Sequence, residues 1–213
     1  MAHDREETAV VMDEQGTGAQ GMLPRFVAIN EEIKRVVQGA RQVNHAALNA
    51  MLLAKKSGSR AAGFGVVAAE LRRFSTMLES HMQVLSSRIF GVIERFAVLQ
   101  KRSRLHALLR RAGESSAEAG ARALDARLAC GRAALARART ELRQGLVRFG
   151  RELDRSRVLC EHGARLVTLA KVESAYGGDF AARLRQVSRH FEAAIERIVA
   201  LLDAVRPRLA GCA

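Results

Sequence analysis

Apolar residues recur along most of this chain in steps of three and four. From Pro24 onward the row Phe26, Ile29, Ile33, Val36, Ala40, Val43, Ala47, Ala50 and Ala54 runs unbroken. That spacing keeps one face of a helix apolar and reads as a coiled-coil seam. The row tapers from large residues to alanine, so helices meeting there must approach closely. It stops at Ser57-Gly58. A second row, Val67, Leu71, Phe74, Leu78, Met82, Leu85, Ile89, Val92, Phe96 and Leu99, predicts a helix over about 60–111 with one stutter. The pattern then breaks at "RRAGESSAE", where Gly113 suits a helix end and Ser115 with Glu118 has capping-box spacing.

A third helix is expected over about 116–175. Its seam is Leu124, Leu128, Leu135, Leu142, Phe149, Leu153, Cys160 and Val167, weakened by Gly131, Ala138 and Gly145 at seam positions. "AYGGDF" predicts a tight turn at Gly177 and Gly178. The fourth helix repeats Phe180, Leu184, Val187, Phe191, Ala194, Ile198, Leu201 and Val205, and Pro207 is expected to close it. Pro24 suits the first position of the first helix, where its missing N–H costs little.

These rows predict an all-α fold of long antiparallel helical hairpins forming a four-helix bundle or coiled coil over 24–208. Bends near 58 and 177 fall at one end, and a turn near 113 at the other. At 1.5 Å per residue the four-helix section would be ~45–50 Å long. Beyond it the second and third helices would continue as an antiparallel pair, which buries little alone and invites a second copy, a homo-oligomer.

Composition supports helices. The chain has 213 residues, 48% hydrophobic and 27% charged, with two prolines, no Trp and one Tyr, so strand-favouring aromatics are scarce. No run is apolar enough to span a bilayer, and the start lacks signal-peptide order. Three cysteines, Cys130, Cys160 and Cys212, form an odd set without metal-type spacing and suit a reducing cytoplasm. Residues 1–23 hold five acids against Arg5. That acidic stretch lacks periodicity and is expected to be a disordered tail. It carries −4 of a total of +13, leaving +17 on the rest. Such a field favours polyanions, although a solvated Arg/Glu surface on long helices is the simpler account of it.

Candidate chemistry is sparse. Glu31 and Glu32 are adjacent on a helix and point different ways, which suits no acid/base pair. Cys130 and Cys160 fall in the seams as small apolar core residues, and Cys212 lies near the end of the sequence, available for oxidation. Histidines are scattered, and His45 near the bend has only its unperturbed titration range to suggest a switch. "GSRAAGFG" lacks the G-K-[ST] ending of a phosphate loop. Neither an enzyme nor a cofactor site is expected.

One stretch is specific. "QVNHAALNAMLLAKKSGSRAAGFGVVAAELRRF", residues 42–74, resembles the signalling hairpin tip of methyl-accepting chemotaxis proteins, the bacterial chemoreceptors. It follows their pattern without a gap at Gln42, Asn44, Ala47, Leu48, Asn49, Ala50, Ala54, Gly58, Gly63, Phe64, Val66, Val67, Ala68, Glu70 and Arg72. Gly58 can take the left-handed conformation that reverses a helix, Gly63 leaves room for close packing, and Phe64 can plug the hairpin's end. The resemblance implies partners: the chemotaxis histidine kinase, its coupling protein, or chemoreceptors themselves. It implies contacts at His45, Asn49, Leu53, Lys56, Ser59, Arg60 and Phe64.

The departures are as informative. Leu53 stands where the family has Glu, Lys56 for Arg, Ser59 for Glu and Ala62 for Arg. The tip's carboxylate–guanidinium pairs therefore cannot form as they do in the family. Residues 166–178, "LVTLAKVESAYGG", echo the tip more faintly, with Glu173 at the acidic position. The resemblance thus implies a single-chain pseudo-dimer of two chemoreceptor-like hairpins, a cytoplasmic interaction protein of chemosensory signalling. The alternative is a basic coiled-coil protein that binds nucleic acid or another polyanion.

Overall fold

The chain forms four long α-helices and two short 3₁₀ turns in a computed structural model, which describes the backbone of 3–114 and 118–210 and the side chains of 21–113 and 124–209. The helices are α1 (His3–Lys56), α2 (Ala62–Glu114), α3 (Glu118–Ala175) and α4 (Ala181–Ala210), with 3₁₀ turns at Gly58–Ala61 and Gly178–Phe180. No strand occurs among the described residues. The described residues contain no helix long and apolar enough to cross a membrane.

Two helix ends differ from expectation. Pro24 does not open α1 and Pro207 does not close α4; both lie inside their helices. A proline in a helix interior forfeits one backbone hydrogen bond and crowds the preceding turn, at about 3 kcal/mol. At Pro207 the following turn is held by Arg208, which pairs with Glu32 of α1 at 3.4 Å. Upstream of Pro24 the acidic stretch expected to be irregular is continuous with α1 from His3, consistent with its Ala, Glu, Gln and Met content. The capping pair beginning at Ser115, and Cys212, lie outside the described residues.

The chain divides into two compact units. Among the described residues, the first comprises 3–27, 88–114 and 118–149, and the second comprises 28–87 and 150–210.

In the second unit the seams meet as their spacing requires. Ile29, Ile33, Val36 and Val43 of α1, and Leu71, Phe74, Leu78, Met82 and Leu85 of α2, are buried. Each such side chain contributes roughly 1.5–3 kcal/mol of transfer free energy. Contacts between α1 and α2 run in opposite directions: Asn30 with Ser86 at 3.4 Å, and Arg41 with Glu79 at 3.6 Å. Those between α3 and α4 do the same, Asp154 with Arg206 at 2.9 Å, Arg157 with Asp203 at 3.2 Å, and Lys171 with Glu192. Small residues let the helices close up. A Cβ on Gly39 would lie 2.8 Å from Ile198 of α4, and one on Gly163 would lie 2.7 Å from the Phe74 ring. Glu32, nearly buried, sits between Arg35 and Arg208, each at 3.4 Å, while Glu31 faces outward to Lys34. The two carboxylates therefore do separate structural work.

In the first unit Ile89, Val92 and Phe96 of α2 and Ala138, Leu142, Leu146 and Phe149 of α3 are buried. Phe26 meets Phe96 edge to face, centroids 5.7 Å apart at 74°. Toward the 113 turn the core thins: none of 97–113 or 124–137 is buried. Leu124, Leu128 and Leu135, expected as seam residues, are half-buried. Gly131 opposite His106 supplies no side chain to cover them. Cys130 is exposed, a correction to its assignment to the seam. It lies two residues from Leu128, about 200° around the helix. Cys160 is buried as expected, and its thiol is pushed up to about 12, first by burial and then by Asp203 and Glu161.

Candidate functional site

The two bends close in different ways. At the first, Ser57 ends α1: its backbone N–H donates to Leu53 O at 3.0 Å and Ala54 O at 3.1 Å, and its hydroxyl donates to Leu53 O at 2.8 Å. Gly58 then takes φ +68, the left-handed conformation a side chain resists. One 3₁₀ turn follows, and Phe64 enters the core with no exposure. At the second bend Tyr176 N–H donates to Glu173 O at 3.2 Å and Phe180 N–H to Gly177 O at 3.0 Å. Gly178 takes φ +55, while the neighbouring Gly177 has an ordinary φ of −71 and is buried.

The bends lie together within the second unit. A Cβ on Gly63 would overlap the Glu173 carboxylate, and one on Gly178 would lie 3.4 Å from the Arg60 side chain. A methyl group at position 63 would therefore have to displace the half-buried Glu173 carboxylate, which occupies that space.

The residues singled out in the sequence fall into three groups. His45, Asn49, Lys56, Ser59 and Arg60 are exposed on or beside the first bend. Leu53 is half-buried, so it is not the openly exposed apolar residue its substitution for Glu suggests. Phe64 is wholly internal; it can hold the bend's shape but offers no surface of its own. Its assignment as a contact residue finds no accessible atoms here.

What the sequence reading missed is apolar and exposed. Leu52 is 61% and Val66 64% accessible beside the first bend. Leu169 and Val172 on α3, and Tyr176 just past its end, are 51%, 52% and 69% accessible approaching the second. Their spacing of three and four places them on one face, opposite the buried Val167 and Ala170. A second row of that spacing was the available signal, masked by the stronger seam beside it. Between α1 and α2 an open groove of about 450 Å³ is floored by Ala54, Gly58, Ala62 and Gly65, with Met51 and Lys55 on its walls. A second hollow of about 510 Å³ continues from Met51 to Met77, edged by Glu70, Arg72 and Arg73.

This surface can bind by shape, apolar area and positive charge. No group of three His, Cys, Asp or Glu side chains is placed to hold a metal ion among the described residues. No protein-family model, curated protein or solved structure matches the chain.

Proposed function

We propose that this chain is a chemoreceptor-like interaction protein of a bacterial chemosensory pathway, docking a kinase, coupling protein or receptor through its paired bends. The observation that carries the reading is the ungapped match of residues 42–72 to the chemoreceptor tip pattern. The left-handed Gly58, the crowded Gly63 and the internal Phe64 are the features that pattern calls for on physical grounds, and they support it. In this reading α1–α2 and α3–α4 are two hairpins of one four-helix bundle, a pseudo-dimer within one polypeptide. Glu173 supplies from the second hairpin the acidic residue that Leu53 has lost from the first.

The departures at Leu53, Lys56, Ser59 and Ala62 direct the docking away from the carboxylate–guanidinium pairing of ordinary receptor tips. The accessible Leu52, Val66 and Tyr176 give an apolar centre, and Lys55, Lys56 and Arg60 a basic rim. Tyr and Arg are the side chains that most often carry the binding energy in protein interfaces, which makes Tyr176 and Arg60 the principal anchors here. The protein alters signalling by occupying a shared surface, without catalysis and without a cofactor.

The test is affinity capture of the cell's chemosensory kinase, coupling protein and receptors on the full chain, beside the double variant Val66→Ala, Tyr176→Ala. Retention of at least one of them, lost in the variant, is expected. Retention of none, or equal capture by the variant, sinks the proposal.

The alternative, polyanion binding, is favoured by the +17 carried outside the first 23 residues. It predicts association with duplex DNA that weakens steeply with salt. Capture through apolar anchors changes little with salt.

A further inference from the structure

In the first unit, α2 carries a second apolar row on the side away from its core. Phe90, Val98, Leu105 and Leu108 are 54%, 44%, 56% and 62% exposed. Their spacings of eight, seven and three place them within roughly 80° of one another at 100° per residue. They run along a helix whose inner face, Ile89, Val92 and Phe96, is already buried. Over 88–96 the helix thus has a buried inner face and an exposed outer apolar row, and the outer row continues to Leu108 where the inner face is only half-buried.

We propose that this outer row is a docking seam for an acidic amphipathic helix of another protein. Charge selects that occupant. Of the seven arginines and lysines in 88–111, Lys101, Arg104 and Arg111 lie on the row's side of the helix. Against these three stands the single acid Glu94, which lies in the row too, a net +2 on this face. Arg102 instead reaches to Ala134 O at 3.1 Å. Lys101 and Arg104 are exposed and sit along the row itself. A second copy of this chain would bring the same positive charge to the same place, and like charges across a seam oppose pairing. A nucleic acid would meet the arginines but would leave Leu105 and Leu108 without apolar cover. A helix with leucines on a heptad and glutamates flanking them satisfies the leucines and the charges together. This seam belongs to the first unit and does not depend on the paired bends.

The probe is a fluorescein-labelled 28-residue coiled-coil peptide with Leu at a and d and Glu at e and g. Anisotropy titration of the full chain is run beside the Lys-flanked version of the same peptide and a labelled duplex DNA. The acidic peptide should bind at least about tenfold tighter than the basic one, since the flanking charges reverse sign. Leu105→Gln with Leu108→Gln should weaken it about thirtyfold, the effect of losing two half-exposed leucines from an apolar contact. Glutamine is a good helix former, so helix content by circular dichroism should hold. The single variant Leu108→Gln, with an intermediate loss, keeps the test decisive should the double variant lose helix. Equal binding by the leucine variants, equal binding by the basic peptide, or leucine-dependent binding of the DNA would each overturn the proposal.

Discussion

Replacing Phe64 by alanine separates the two roles available to that residue. A contact residue on an open bend could be truncated with little effect on stability. The side chain is instead fully enclosed, and the residues one turn before and after it, Ala61 and Ala68, are also buried and have no length to fill the space. Large-to-small changes of a buried Phe cost about 3–5 kcal/mol, with the upper range where neighbours cannot collapse into the cavity. Alanine's higher helix propensity returns roughly 0.5 kcal/mol. A net loss of about 3–4 kcal/mol follows. With a urea dependence near 3 kcal/mol per molar, the upper range for small proteins, the midpoint followed by circular dichroism should fall by about 1 M. Because the residue sits at a bend, part of the loss should appear as local opening, read as faster amide exchange across 54–68. Val66→Ala is the internal control. That side chain is 64% exposed, and its truncation should change stability by no more than about 0.5 kcal/mol. A Phe64→Ala midpoint within about 0.2 M of the parent, or equal effects at both positions, would refute the placement of Phe64.

Three further outcomes follow from the same geometry. Gly58→Ala should destabilise by about 1–2 kcal/mol in urea melts, since φ is +68 and the space around a new Cβ is open, leaving backbone strain as the only cost. Gly63→Ala should be destabilising alone and partly rescued by Glu173→Ala, because the methyl and the carboxylate compete for one site; a double-mutant cycle with no coupling would contradict the contact. For the thiols, exposed Cys130 should react with iodoacetamide at pH 8 well before buried Cys160, by mass spectrometry of the native chain. Cys160 has its pKa raised from 9.0 to about 12 by folding, so its neutral form is the one the fold favours. Its contribution is full below 9.0 and is lost as pH rises from there toward about 12, and Cys160→Ala should flatten that alkaline decline.

The α1 seam was readable residue by residue, because every position from Phe26 to Ala54 in the row is buried and a helix has only one way to bury such a row. The first bend was readable for a similar reason: few residues other than glycine tolerate the backbone at 58. The prolines misled because their cost is local, and each lies two residues from a fully buried seam residue, Phe26 and Val205, whose packing offsets it. Leu201 and Leu202 show the limit of periodicity. Both fit an apolar step, yet only Leu202 is buried. The outer apolar rows, on α2 at Phe90–Leu108 and from Leu169 on α3 to Tyr176 just past its end, were hidden because a reading that follows one seam per helix assigns the remaining leucines to solvent. Cys130 was misplaced by two residues, enough to turn it from the contact face to the open one.

The two bends share one end of their unit but differ in chemistry. One presents Lys56, Ser59 and Arg60, the other Tyr176 and Asp179. An assembly of two identical subunits must change both halves whenever it changes one. Here Ser59 can mutate while position 179 stays as it is, so the pair can drift into a left and a right hand. Under the docking proposed above, a visitor would have one orientation in which to land, and one visitor per chain is the expectation.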